Sequence, residues 1–423
     1  NWSDYQDSTV VPADTTGWSD ITSDGIGDIP DDLNLSDGVN AIARFAPMTG
    51  RTITLDSSRT VACVWFNWNG TTGATASGGM TLNSSGGSIL TLAREGGTPE
   101  IHIGYRYTSG NYNIGMTINT VLAGTQGFTI GSPSTDSYGG FGLVLGAANT
   151  VSGTVSGGRR LTLTNVAALR YATRNFGTST FGLRNDTDNA TFVLGEGASY
   201  GLTQSTTNAT VTINVDQATA AGDTGHTLKL DADYYTDSGN GDKTWNITGG
   251  NDYKFEMMGT MTNAHATAAL VVNANSANTK LSGDIAVGNG GMKLGGLAAT
   301  GVNEVSGIMS GDGGVTKSGD STWKLSGNNT YTGATTISDG TLLVTGTTSG
   351  QGDFGFGTLS ADATLGGTGT IGLAADKNLT VVGVSDDAKA IVAPGASVGT
   401  LNVSTSGTGT TTFGDYSVLS IEL

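Results

Sequence analysis

The chain has 423 residues, 68 of them Gly, and its 19 Lys+Arg against 36 Asp+Glu leave a net charge of −17. A chain so acidic and so poor in cations cannot neutralise a phosphate backbone, which excludes nucleic acid as a partner. The glycines keep no three-residue period, which excludes collagen, and no stretch approaches the ~18 apolar residues of a membrane-spanning helix.

Residues 1–50 read as an acidic, irregular N-terminal arm. Asp20, Asp24, Asp28, Asp31 and Asp32 recur around the glycines Gly25 and Gly27. Hard cations take several oxygen ligands converging from a flexible loop, so this spacing points to calcium. The core Asp24-Gly25-Ile26-Gly27-Asp28 resembles a single thrombospondin type 3 calcium repeat, without that family's cysteine.

From about residue 50 onward, short alternating runs recur between Gly, Asn, Asp, Ser and Thr. Thr52-Ile53-Thr54-Leu55, Ile89-Leu90-Thr91-Leu92, Leu161-Thr162-Leu163-Thr164 and Val211-Thr212-Ile213-Asn214-Val215 come first. Thr227-Leu228-Lys229-Leu230, Thr341-Leu342-Leu343-Val344 and Leu379-Thr380-Val381-Val382 follow. Each is strand-length, β-branched and bounded by turn formers. Helical periodicity is nearly absent, and the best short helix candidate runs from Val166 to Arg174. The single cysteine, Cys63, excludes an intrachain disulfide framework and suits an exported bacterial protein. Trp65 and Trp68, just beyond it, are expected to cover the start of the stack or to meet a partner.

The style of these runs does not change over several hundred residues, and only 7% of the chain is aromatic. Small branched side chains suit a narrow stacked core, and Gly and Asn at strand ends suit repeated tight corners. A solenoid is therefore expected, with coils of ~20–25 residues, roughly 15–19 in number. Every arginine lies between Arg44 and Arg184, and every lysine between Lys229 and Lys389. The expected organisation is the arm 1–50, an Arg-containing β-rich segment 51–225 and a Lys-containing solenoid 226–423, joined in the Thr/Asn-rich stretch 186–225.

The sharpest motif is late in the chain. It comprises Gly313-Gly314-Val315-Thr316-Lys317, Leu325-Ser326-Gly327-Asn328-Asn329-Thr330-Tyr331-Thr332-Gly333 and Gly340-Thr341-Leu342, continued by Ala363-Thr364-Leu365-Gly366-Gly367-Thr368-Gly369 and Ala393-Pro394-Gly395-Ala396-Ser397-Val398-Gly399-Thr400-Leu401. Residues 311–401 resemble the passenger-associated, or autotransporter-associated, β-strand repeat. The resemblance implies a right-handed parallel β-helix, export across a Gram-negative-type envelope and display at the cell surface. From the residues themselves, Val315, Leu325, Ile337, Leu342 and Val344 fall on one core face. Asn328 and Asn329 are expected to stack with asparagines of neighbouring coils, and Trp323 and Tyr331 to cover the edges of the core.

Candidate chemistry is sparse. His102, His226 and His265 sit in no triad or zinc spacing. Glu95, Glu100, Glu196, Glu256, Glu304 and Glu422 are scattered, whereas a glycosidase needs two carboxylates across a cleft. A second, weaker calcium candidate combines Asp231, Asp233, Asp237 and Asp242 with Asn240. Met257, Met258 and Met261 are expected to fill core. The expected product is a non-enzymatic, extracellular structural and adhesive β-solenoid. It would associate with itself head-to-tail through the arm 1–37 and the apolar strand 416–423, with surface glycans as further partners. The alternative is a carbohydrate-binding or polysaccharide-degrading β-helix.

Overall fold

The computed structural model describes residues 18–19, 42–45, 52–68, 80–105, 115–131, 142–158, 160–219, 222–236, 241–297, 301–395 and 399–421. Among these the structure is all-β, with no helix and hence none long and apolar enough to cross a membrane. The stretch 166–174 forms turns that lead into the strand Ala172–Asn175, not a helix. Its strand-like end is held from outside, because the Arg174 N–H donates to Gly201 O at 2.8 Å.

The chain forms two compact units, residues 1–184 with 192–201, and residues 185–191 with 202–423. All arginines fall in the first and all lysines in the second. Each unit is a parallel β-helix whose coils have three faces. In the first unit, the first face stacks Thr52–Leu55, Met80–Ser84, Gly115–Ile118, Gly142–Leu145, Arg160–Leu163 and Ser179–Arg184. The second face stacks Arg59–Val61, Ile89–Leu92 and Val121–Ala123. The third runs from Ile42–Phe45 through Cys63–Trp68 and Glu100–Tyr105 to Ala172–Asn175. Where the second face then lacks a strand, Asn149 takes over its bonding. It accepts the Leu122 N–H at 2.9 Å and donates to Ala168 O at 2.9 Å, joining the coils on both sides. Trp18–Ser19 pairs antiparallel with Thr54–Leu55.

The second unit repeats the plan. Its first face stacks Thr210–Asp216, Lys243–Gly249, Leu270–Ala274, Met292–Gly295 and Val315–Lys317. Its second face stacks Thr227–Asp231, Lys254–Met257, Thr279–Leu281, Val302–Val305, Thr322–Leu325 and Gly340–Val344. Strict in/out alternation explains the core: Val211, Ile213, Leu228, Leu230, Val272, Leu294, Val315, Leu325, Ile337, Leu342 and Val344 are all buried. Met257 and Met261 are buried with them, whereas Met258 sits on a corner and is exposed.

Coil length is less uniform than expected. Cross-coil contacts span 36 residues between Asn83 and Asn119 and 19 between Leu145 and Thr164. In the second unit they run from 34 at Asn214–Thr248 to 20 at Asn329–Ser349, and widen to 32 at Asp376–Thr408. The parallel pairing persists across these lengths, with register shifts between Thr348 and Gln351 and between Gly372 and Ala375.

The short coils owe their corners to close backbone contact. A Cβ on Gly283 would lie 2.0 Å from Gly259 O; on Gly307, 2.0 Å from Gly283 O; on Gly327, 2.3 Å from Gly307 O; on Gly346, 2.3 Å from Gly327 O. None of these glycines has a positive φ. Glycine is needed here because each coil turns directly on the carbonyl of the coil before it. One carbonyl also serves two donors at these corners, as when Leu325 O accepts the N–H groups of Thr345 (2.9 Å) and Gly346 (3.0 Å).

Candidate functional site

The residues predicted for calcium divide between described and undescribed parts of the chain. Asp20, Asp24, Asp28, Asp31, Asp32 and Asp237 lie outside the described residues, as does Asn240. Asp231 ends the strand Thr227–Asp231 and is exposed. Asp233, at the next corner, accepts both the N–H (2.8 Å) and the hydroxyl (2.9 Å) of Thr260 in the neighbouring coil. Asp242 accepts the Ala269 N–H at 2.9 Å and pairs with Lys293 Nζ at 2.7 Å. Among the described residues no three His, Cys, Asp or Glu side chains converge as a metal cluster.

Asp233 is one instance of a general device. Asp186 accepts two N–H groups and a hydroxyl from Ala218 and Thr219, Asp188 the Thr227 N–H, Asp284 the Ile308 N–H, Asp362 the Lys389 N–H, and Asp376 the N–H and hydroxyl of Thr408. A coil corner leaves N–H groups unpaired, and a carboxylate of the adjacent coil satisfies them. The Thr219 hydroxyl and Ala218 N–H hold the Asp186 carboxyl below the usual range, and the Thr408 N–H and hydroxyl do the same for Asp376. Much of the chain's acidity is thus structural.

The paired charges among the described residues include three outward-facing clusters. In the first unit, Arg94 Nη1 donates to Glu100 Oε1 at 2.6 Å, and His102 Nε2 pairs with Glu100 Oε2. Gln126 of the next coil fixes the Arg94 backbone, accepting its N–H at 2.8 Å and donating to its carbonyl at 2.9 Å. The His102 ring lies against Gly131, where a Cβ would come within 2.5 Å of it. Cys63 is in register with Glu100. Burial, and then the Glu100 charge, push its thiol up to about 12, which leaves it without nucleophilic character near neutral pH. Both oxygens of Glu100 are engaged, one by Arg94 and one by His102. Trp65 and Trp68 belong to the strand Cys63–Trp68, and Trp65 is in register with His102. The second cluster is the exposed ion pair of Arg170 and Glu196.

The third cluster is a column on the second face of the second unit. Lys229, Glu256, Lys280, Glu304 and Lys324 occupy one register position on five successive strands. Lys229 Nζ and Lys280 Nζ approach Glu256 at 3.4 and 3.5 Å, and Lys324 Nζ approaches Glu304 at 2.9 Å. The Ser326 hydroxyl donates to Glu304 at 2.6 Å. Partial burial works against both carboxylates, but the serines and lysines outweigh it and hold Glu256 and Glu304 below their usual range.

Three buried cations escaped the sequence reading: Lys317, Arg174 and Lys243, the last donating to Thr206 O at 2.8 Å. Lys317, fully buried, donates to Ser318 O (3.0 Å), Gly319 O (2.6 Å) and Asp339 O (3.0 Å), and burial pushes its ammonium down to about 8. Arg174 donates to Val155 O (3.2 Å) and Gly157 O (2.7 Å), and burial lowers it to about 10. The signal for Lys317 was its place two residues after Val315, on the inward phase of the strand. Asn329 does not stack on another asparagine; its register partner is Thr348. Its side chain instead accepts the Met309 N–H at 3.0 Å and donates to Gly327 O at 3.2 Å. Amide stacking occurs elsewhere, at Asn83–Asn119 and Asn246–Asn273, both 3.0 Å. Trp323 and Tyr331 lie inside the core, not at its edges. The Trp323 indole N–H donates to Gly295 O at 3.0 Å, and the Tyr331 hydroxyl meets that of Thr335 at 2.7 Å.

Of the segments predicted for head-to-tail pairing, residues 1–37 lie outside the described residues apart from Trp18–Ser19, and Ser417–Leu419 pairs with the strand Ala390–Pro394.

Residues 315–344 match the family model of the passenger-associated-transport-repeat. They span one coil and the start of the next, and the glycines around and within them, Gly314, Gly319, Gly327, Gly333 and Gly340, all sit between strands or open one. The chain matches no curated protein and no solved structure. Fold and repeat together define a secreted, passenger-like bacterial β-solenoid.

Proposed function

We propose that this solenoid is an extracellular structural and adhesive protein that works without catalysis and associates with itself at the cell surface. The observation that carries this reading is how the charged groups are used. Glu100, Glu256 and Glu304 are each bound by cations, and the corner aspartates by backbone N–H groups, so these acidic side chains serve to hold the stack together. A scaffold with repeated faces suits contact by repetition. A glycan-binding role is the second reading, favoured by Arg94, Glu100 and His102 lying together on one face.

The test is display of the chain on cells of a non-clumping strain, with settling and polysaccharide turnover measured together. Settling without release of soluble sugar is the expected result. Release of reducing ends from any polysaccharide would replace the scaffold reading with an enzymatic one.

A further inference from the structure

The column Lys229–Glu256–Lys280–Glu304–Lys324 alternates in sign coil by coil and reads the same from either end. Consider two copies facing each other across this column, related by a two-fold axis, so that the columns run in opposite directions. With the midpoints aligned, lysine meets lysine and glutamate meets glutamate. A displacement of one coil reverses every encounter: Lys229 then faces the other copy's Glu304, and Glu256 its Lys280, each contact occurring twice by symmetry. A displacement of one coil the other way sets Glu256 against Lys324 and Lys280 against Glu304.

We propose that this column is a lateral self-association face, and that its occupant is a second copy of the chain, antiparallel and displaced by one coil. The inference rests on the self-association reading above and names the surface. The lysines are the accessible partners, with Lys280 exposing 45% of its side chain, so their ammonium groups are free to exchange an internal carboxylate for an external one. Exposed apolar side chains flank the column: Val302 on the same face, and Met258 and Ile308 on the adjoining corner. They supply the desolvated rim that charge pairs alone lack.

The size of the face sets the strength of the contact. Five strands about 4.8 Å apart, each about four residues wide, cover roughly 24 by 13 Å, well below the ~800 Å² per partner of a stable complex. One contact is therefore weak, and many displayed side by side act together. Salt is a poor probe, because screening also relieves the general repulsion between two chains of charge −17.

The experiment uses the full chain coupled densely to beads of two colours. One variant has an all-acidic column (K229E/K280E/K324E), one an all-basic column (E256K/E304K), and one a neutral column (K229Q/E256Q/K280Q/E304Q/K324Q). Circular dichroism and protease resistance establish folding. Wild-type beads are expected to cluster, each single-sign variant alone to cluster at least ten-fold less, and the mixture of the two to recover mixed-colour clusters. The neutral variant, which keeps the column packed without charge, is expected to stay dispersed and decides the matter if a single-sign variant does not fold. Clustering of the neutral or a single-sign variant at the wild-type level would overturn the face while leaving self-association standing. Dispersed wild-type beads would overturn both.

Discussion

The two units close the same three-sided coil by different means. In the first, cross-coil contacts range from 36 residues apart to 19, and polar side chains stand in where backbone ladders fail: Asn149 replaces a strand of the second face, and Arg174 ties down Val155 O and Gly157 O from inside. In the second, cross-coil contacts run from 34 residues apart to 20 and out again to 32, glycines lie carbonyl-to-backbone at successive corners, and one charge column tracks five strands. The comparison teaches that the ladder tolerates a wide range of coil lengths, and that glycine-on-carbonyl corners accompany short and long coils alike: Gly307 lies on Gly283 O, 24 residues back, and Gly124 on Leu92 O, 32 residues back.

That contrast is broken most directly at a corner glycine. Gly307→Ala in the second unit would place a Cβ 2.0 Å from Gly283 O and 2.5 Å from Gly283 C, against backbone of the preceding coil with no flexible group to move. Gly115→Ala in the first unit would meet only Gly142 O, at 3.6 Å, an ordinary contact. Overpacking of this kind costs about 3 kcal/mol. Urea unfolding is expected to show that loss for Gly307→Ala and little change for Gly115→Ala. Equal effects would mean that corner contact does not distinguish these positions.

The core cations sharpen the comparison through pH. Lys317 sits near 8, below its ordinary 10.5, and Arg174 near 10, below its ordinary 12.5. In both cases the unfolded chain binds the proton more tightly, so stability rises with pH between the folded and unfolded values. The window opens near pH 8 for the second unit and only near pH 10 for the first. Between pH 8 and 9.5 the wild type is expected to gain up to about 2 kcal/mol relative to Lys317→Met, read from urea midpoints at each pH. A difference that shrinks over this interval would show that the three carbonyls hold the ammonium more firmly than burial expels it.

How much of this was visible in the sequence follows from what depends on register. Inward apolar positions were legible, because alternation is local: Val315, Leu325 and Val344 need only their own strand to be placed. The repeat glycines were legible as corners for the same reason. The charge column was not. Its members are separated by 27, 24, 24 and 20 residues, counted from their numbers, and no fixed period aligns them. The roles of Asp233 and Asp242 were hidden likewise, since their partners Thr260 and Ala269 lie 27 residues on, at corners only the coil lengths define. Asn329 was read as a stacking amide because its neighbours in the next coil, Thr347 and Thr348, become known only once the ladder is drawn.

The smallest expected effect tests whether the charge column also helps hold register within one chain. Glu304 is three-quarters shielded and is held by both Lys324 and the Ser326 hydroxyl, whereas Glu196 in the first unit shares an exposed pair with Arg170 alone. Exposed pairs gain little after screening and side-chain ordering, while a carboxylate in a network retains more of its attraction. Glu304→Gln is expected to lower stability by about 0.5 kcal/mol at low salt and by less at high salt, and Glu196→Gln to leave the urea midpoint unchanged at either. Glutamine keeps the shape and most of the packing, so the comparison isolates charge. If both substitutions were silent at low salt, the column would contribute nothing to the single chain, and its alternation would be left to contacts between chains.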